Sequence, residues 1–152
     1  YYMNSAGAMQ SGWFQDGQTW YYANGSGVMQ KGWLNRGGTW YYLTGSGAMA
    51  TGWYMVGGTW YYSNNSGTMQ TGWVNPHGTW YYLDGSGAMA VGWCLIGNNW
   101  YYLSGSGAMV TGWLDLNGTW YYMGADGVML TGTQVIGGTT YIFNQDGAWV
   151  AN

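Results

Sequence analysis

GWYMVGGTWYYSNNSGTMQTGW, residues 52–73, holds one full period of the chain and the first two residues of the next. It opens on Gly52-Trp53, runs to Trp60-Tyr61-Tyr62, continues through Gly67-Thr68-Met69 and returns to Gly72-Trp73. The frame recurs every 20 residues: Gly-Trp stands at 12–13, 32–33, 52–53, 72–73, 92–93 and 112–113, and Trp-Tyr-Tyr begins at 20, 40, 60, 80, 100 and 120. A fixed period of this length marks a repeat architecture, in which each copy is one supersecondary unit buried by its neighbours. Inside the copy the apolar periodicity is two rather than 3.6. Runs rich in Trp, Tyr and Thr are bounded by glycine, which argues for short strands and against helix.

Pairing Trp13 with Trp20, Phe14 with Thr19 and Gln15 with Gln18 leaves Asp16-Gly17 as a two-residue hairpin turn. Its equivalents are Arg36-Gly37, Val56-Gly57, Pro76-His77, Ile96-Gly97 and Leu116-Asn117; their chemistry wanders while the flanking aromatics hold, as expected of exposed tips. A linker follows each hairpin, with glycine at 7, 27, 47, 67, 87, 107, 127 and 147. A positive φ is expected there, setting the rotation between copies. A lone hairpin is marginal in water, so the copies are expected to stack. The fold class read from this is all-β, a β-hairpin solenoid forming one module over residues 1–152. It has about seven copies, the first partial and the last degenerate.

Composition narrows the function. Of 152 residues, 20% are aromatic and 30 are glycine, with only 5% charged. The 13 Trp and 16 Tyr supply too much apolar area for a disordered chain. A net charge of −3, with Lys31 and Arg36 as the cations, gives no footprint for nucleic acid or an anionic bilayer. No apolar run approaches the roughly 20 residues of a membrane-spanning helix, so direct membrane insertion is not expected. The single cysteine, Cys94, cannot make an internal disulfide, and stability has to come from stacking between copies. Because Tyr1-Tyr2 align with Tyr21-Tyr22, the chain starts in mid-repeat and reads as a fragment or the tail of something longer.

The decaying last copy suggests which face does what. Trp120-Tyr121-Tyr122 is answered by Thr140-Tyr141-Ile142, and Trp113 by Thr133, so aromatics vanish at the equivalents of 13, 20 and 22 while Tyr141 stays. In a strand, residues 20 and 22 share one face and 21 and 23 the other. The Tyr21 series, with Leu43, Leu83, Leu103 and Met123, is therefore expected to pack the solenoid. Trp13, Trp20 and Tyr22 share the opposite face. Two Trp of one hairpin with a Tyr of the next would wall an aromatic notch between consecutive copies. Cross-strand aromatic pairs also stabilise sheets unaided, so packing is the competing reading. Against it, positions 13 and 20 are Trp in all of the first six copies, where packing alone would accept Leu, Ile or Val.

Electron-rich faces with almost no charge suit a quaternary ammonium, which is weakly hydrated and held by cation–π attraction. Three rings at about 1 kcal/mol each give only about millimolar affinity. Several such notches facing a densely decorated polymer raise avidity by roughly 10²- to 10⁴-fold, which gives the repetition a purpose.

The unit from Gly52-Trp53 through Trp60-Tyr61-Tyr62 to Gly67-Thr68-Met69-Gln70-Thr71-Gly72-Trp73 closely resembles the choline-binding, or cell-wall-binding, repeat. The resemblance spans all 152 residues. It implies a left-handed hairpin solenoid that anchors a secreted protein at the surface of a Gram-positive cell, as in cell-wall hydrolases and phage endolysins. The implied partner is choline of teichoic or lipoteichoic acid, held in boxes of two Trp from one hairpin and a Tyr from the next. Carried over by position, the boxes are Trp13, Trp20 and Tyr42; Trp33, Trp40 and Tyr62; Trp53, Trp60 and Tyr82; Trp73, Trp80 and Tyr102; and Trp93, Trp100 and Tyr122. A sixth, on Trp113 and Trp120, would meet Ile142 and is expected to be defective. Met29, Met49, Met69, Met89, Met109 and Met129 are either fourth walls or inter-repeat packing.

Hairpin-tip lysines, frequent in that family, are nearly absent here. That leaves open the related glucan-binding and clostridial-toxin repeats, for which Gln15, Asn35, Asn75, Asn98 and Asn99 could meet sugar hydroxyls. A structural spacer or self-associating rod, forming a homo-oligomer, is a third reading. Catalysis is not expected: there is no Glu, His77 sits in a hairpin turn, and Cys94 takes a position held elsewhere by Phe, Leu, Tyr or Val. The five Asp (16, 84, 115, 126 and 146) fall in turns and form no metal-binding cluster, so no cofactor is expected. An enzyme could precede Tyr1.

Overall fold

A computed structural model describes all residues, 1–152. It is all-β, one antiparallel hairpin after another, as the 20-residue period requires. Contacts divide the chain into two compact units: Tyr1–Gly72 with Gly85–Ala88, and Trp73–Asp84 with Met89–Asn152.

The first unit contains three hairpins, β1 (Gly12–Asp16) with β2 (Thr19–Ala23), β3 (Gly32–Arg36) with β4 (Thr39–Leu43), and β5 (Gly52–Val56) with β6 (Thr59–Ser63). Their register is not the one the sequence suggested. Trp13 pairs with Tyr22 and Gln15 with Trp20, which moves the turn from 16–17 to 17–18. The second and third hairpins repeat this register. Glycine conformation explains it. A two-residue turn that matches strand twist needs positive φ at its first central residue, as at Gly17 (62°), or at both. Gly37-Gly38 (φ 62° and 88°) and Gly57-Gly58 (57° and 82°) meet that need, whereas Arg36 or Val56 in the turn would be strained.

The second unit has the short pair β7 (Gly72–Val74) and β8 (Tyr81–Leu83), then β9 (Gly92–Ile96) with β10 (Asn99–Leu103), and β11 (Gly112–Leu116) with β12 (Thr119–Met123). The last element is a three-stranded sheet of β13 (Gly132–Ile136), β14 (Thr139–Phe143) and β15 (Trp149–Ala151). Gly97-Asn98 and Asn117-Gly118 make the same left-handed pair as the double glycines. His77-Gly78 (φ 58° and 87°) makes it too, but Pro76 precedes it where the other copies have a residue with an N–H. Pro76 fixes its own φ and has no N–H to donate, so the chain makes a 3-10 turn over Pro76–Gly78, with His77 at φ 58°, and both flanking strands shorten to three residues.

The fully buried column is the last residue of each second strand: Ala23, Leu43 and Ser63 in the first unit, Leu83, Leu103, Met123 and Phe143 in the second, none more than 2% exposed. The Tyr21 series on the same face is only half-buried and is spent elsewhere. The buried Ser63 hydroxyl is satisfied by Tyr54 Oη at 2.9 Å, and burial pushes the Tyr54 phenol up. Cys94 is half-buried opposite Tyr101, and burial raises its thiol, the wrong direction for a nucleophile.

Linkers join the copies through two repeated devices. An Asn at the linker start caps the turn; Asn24 Oδ1 accepts from the N–H groups of Ser26 and Val28 at 2.9 and 3.0 Å, and Asn64 does the same for Ser66 and Thr68. Four linker methionines then reach back to an earlier hairpin: the Met49 N–H donates to the Trp20 carbonyl at 2.8 Å, and Met69 to Trp40 at 2.9 Å. Met109 to Trp80 and Met129 to Trp100 repeat this in the second unit.

Candidate functional site

Period-two alternation puts Trp13, Trp20 and Tyr22 on one face of a hairpin, because Trp13 and Tyr22 are direct partners and Trp20 is two residues from Tyr22. The next hairpin meets that face with its opposite side, which carries Tyr41 and Leu43. Tyr41 therefore closes on Trp13, ring centroids 4.8 Å apart at 62°. Trp33 meets Tyr61 at 4.9 Å and 72° in the same way. In the second unit Trp73 meets Tyr101 at 4.9 Å and 66°, and Trp93 meets Tyr121 at 4.9 Å and 69°. The two Trp of one hairpin stand almost perpendicular, 6.3 Å and 86° for Trp33 and Trp40, 6.2 Å and 88° for Trp73 and Trp80, and 6.4 Å and 87° for Trp93 and Trp100. Three steeply crossed rings thus present their faces to one space.

Four such spaces are open cavities of about 310 to 440 Å³. Trp13, Trp20, Tyr41 and Met49 line one, and Trp33, Trp40, Tyr61 and Met69 the next. In the second unit the walls are Trp73, Trp80, Tyr101 and Met109, and Trp93, Trp100, Tyr121 and Met129. Linker residues form the rims: Asn65 and Ser66, Gly85 and Ser86, Ala125 and Asp126, and Gln145 and Asp146.

This arrangement corrects the expected third wall. Tyr42 lies 5.0 Å from Trp33 of its own hairpin, and Tyr62, Tyr82, Tyr102 and Tyr122 likewise lie 5.0 to 5.2 Å from Trp53, Trp73, Trp93 and Trp113. A residue on the same face as its own Trp cannot face the preceding hairpin. The Tyr22 series props the Trp13 series from within the hairpin instead, and the Tyr21 series supplies the cage wall. The expected defect at the sixth notch is corrected for the same reason: Trp113 meets Tyr141 at 4.9 Å and 72°, not Ile142. Trp60 keeps the exposure of its counterparts.

The methionines do both things left open by the sequence. Met49, Met69, Met109 and Met129 line cages, and each also lies on a linker glycine of the following copy, Gly67, Gly87, Gly127 and Gly147. Met29 and Met89 sit on Gly47 and Gly107. A Cβ at any of these glycines would overlap the methionine side chain, and each glycine has a positive φ between 79° and 86°. Glycine there is required by the thioether as well as by the backbone.

Of the polar residues weighed for sugar binding, Gln15 and Asn35 flank cage tryptophans on the same strand face, outside the cavity linings. Gln15 and Asn35 pair across the strands with Trp20 and Trp40, Asn35 Oδ1 accepts from the Gly38 N–H at 3.1 Å, and Asn98 is a turn residue. His77 is exposed on its 3-10 turn. One native cation already uses a ring: the Arg36 guanidinium lies 5.2 Å from the centroid of Tyr22.

A family model described as a choline-binding repeat matches residues 50–92 and 90–131, and a cell wall binding repeat model matches 11–29 and 31–49. The chain belongs to the choline-binding repeat family, whose repeats are non-catalytic binding modules. Among solved structures it is similar to CbpJ from Streptococcus pneumoniae TIGR4, at 42% identity over 99% of this chain and 56% of that one, with a TM-score of 0.92. Choline binding protein F from Streptococcus pneumoniae is 47% identical over 95% of this chain and 49% of that one, at a TM-score of 0.88. The multimodular pneumococcal cell wall endolysin from phage Cp-1, solved with choline, is 36% identical over 80% of this chain and 37% of that one, at 0.57. The chain thus spans about half the length of the first two. No curated protein matches it.

Proposed function

We propose that residues 1–152 act as one module that holds choline in the aromatic cages and so fastens a protein to the bacterial cell wall. The observation that carries this is the cage itself: two perpendicular indoles and a phenol ring closed by a thioether, with no protein cation inside. Trimethylammonium offers no hydrogen-bond donor and spreads its charge over methyl groups, so crossed ring faces recognise it where they would leave a sugar's hydroxyls unpaired. The phage endolysin solved with choline and choline binding protein F support the assignment by similarity. Teichoic or lipoteichoic acid bearing choline is the polymer on which weak, repeated sites gain avidity. The setting is then outside the cell, at the wall. Cage walls are Trp13, Trp20 and Tyr41 with Met49, and their equivalents.

Calorimetric titration with choline tests this, with ethanolamine and a short α-glucan as controls. Millimolar choline binding at several equivalents, with much weaker ethanolamine binding, is expected. Heat with the glucan and none with choline would transfer the module to carbohydrate recognition.

A further inference from the structure

We propose that the last copy contains an additional cation cage, walled by Trp113, Trp120, Tyr141 and Trp149, that takes a quaternary ammonium more tightly than the three-ring cages. It rests on the cage reading above and adds a specific fourth ring. In the preceding copy the linker Met is bridged to the end of the second strand, Met129 to Met123. Trp149 occupies the same register, paired with Phe143 where β15 joins β14. An indole thus stands where the other cages have a thioether.

The ring geometry repeats that of the other cages. Trp113 and Trp120 lie 6.1 Å apart at 81°, and Trp113 and Tyr141 4.9 Å apart at 72°, matching the cages already described. Trp149 lies 6.2 Å from Trp113 at 67° and 5.9 Å from Tyr141 at 72°. Its Nε1–H donates to the Ala151 carbonyl at 2.8 Å, which fixes the ring plane. An indole plugging the mouth would cover its neighbours. Trp113 is 37% exposed, as Trp33 is, and Trp120 is 39% exposed against 43% for Trp40 and Trp80. The mouth is open.

Charge points the same way. Asp115 is the cross-strand partner of Trp120 and so shares its face, and its Oδ1 is held by the Gly118 N–H at 2.8 Å. The equivalent residues beside Trp20, Trp40, Trp60 and Trp100 are the uncharged Gln15, Asn35, Met55 and Leu95, and the carboxylates of the other cages, Asp126 and Asp146, stand on linker rims instead. A fixed carboxylate and a fourth ring in place of a thioether both favour a cation.

Choline titration of the 15N-indole-labelled chain, with resonances assigned by single Trp→Phe variants, tests the proposal. The Trp113, Trp120 and Trp149 signals are expected to reach half-saturation at about fivefold lower choline than those of Trp33, Trp40, Trp73 and Trp80. W149M, which restores the residue of the other copies, is expected to bring the site level with them. If the other indoles respond while Trp113 and Trp120 do not, Trp149 is a plug and this proposal fails while the module reading stands. If Trp113 and Trp120 respond equally in W149M and the parent chain, the fourth ring contributes nothing and the proposal is overturned. Silence of every indole would bring down the module reading itself.

Discussion

The two compact units carry the same cage walls but different charge and different cores. Both cations, Lys31 and Arg36, lie in the first unit with one carboxylate, Asp16, whereas Asp84, Asp115, Asp126 and Asp146 lie in the second. The cage rims follow suit: Asn65-Ser66 and Gly85-Ser86 in the first, Ala125-Asp126 and Gln145-Asp146 in the second. The buried column is Ala23, Leu43 and Ser63 in the first and four large apolar residues in the second. Identical walls with unequal rims allow ring geometry and rim charge to be varied separately: the rings are expected to set what is bound, and the rim how strongly.

Removing a wall gives the largest effect. Trp40→Ala in the first unit, or Trp80→Ala in the second, is expected to weaken its own cage at least about tenfold while neighbouring cages change less than about twofold, read by calorimetric stoichiometry. Uniform loss across all cages would mean that the units do not hold independent sites. Next comes the choice of tyrosine. Tyr61→Leu is expected to weaken one cage by about fivefold, and Tyr62→Leu to act mainly through the melting temperature by loosening Trp53. The reverse pattern would restore the wall that the sequence had suggested.

Rim charge gives a smaller effect. Asp126→Asn is expected to weaken choline binding about two- to fivefold in low salt and to abolish the salt dependence of that cage, and Ser86→Asp to introduce such dependence in the first unit. Equal salt responses in both parents would erase the distinction between units. Smallest for binding is the core. Tyr54→Phe leaves the Ser63 hydroxyl buried without its partner, a cost of about 1–3 kcal/mol in denaturant unfolding, with Tyr54→Phe/Ser63→Ala recovering most of it. Choline affinity should stay level in both variants.

Repeat length, hairpin identity and the Trp walls were legible from residue spacing, because a copy that cannot bury itself has to be periodic. The register was not, although its signal was present: Gly37-Gly38 and Asn117-Gly118 are the residue pairs that tolerate two left-handed conformations, whereas Arg36 and Leu116 do not. The third wall differs by one residue for a related reason: alternation within a hairpin puts Tyr22 with Trp13, whereas alternation in the facing hairpin puts Tyr41 against Trp13. The methionine–glycine contacts pair residues 18 apart in successive linkers, and no local pattern exposes them. Trp149 stands 20 residues after Met129 and so was legible as a Met replacement from the period alone; its ring contacts with Trp113 and Tyr141 were not.

Each of the four open cages draws on three consecutive copies, as when Trp13 and Trp20 come from one, Tyr41 and Met49 from the second, and Asn65 and Ser66 from the third. A duplication of any 20-residue unit within the array therefore inserts a complete new cage, since every contributor reappears at its fixed offset and no existing wall is displaced. An insertion of 19 or 21 residues would break three cages at once.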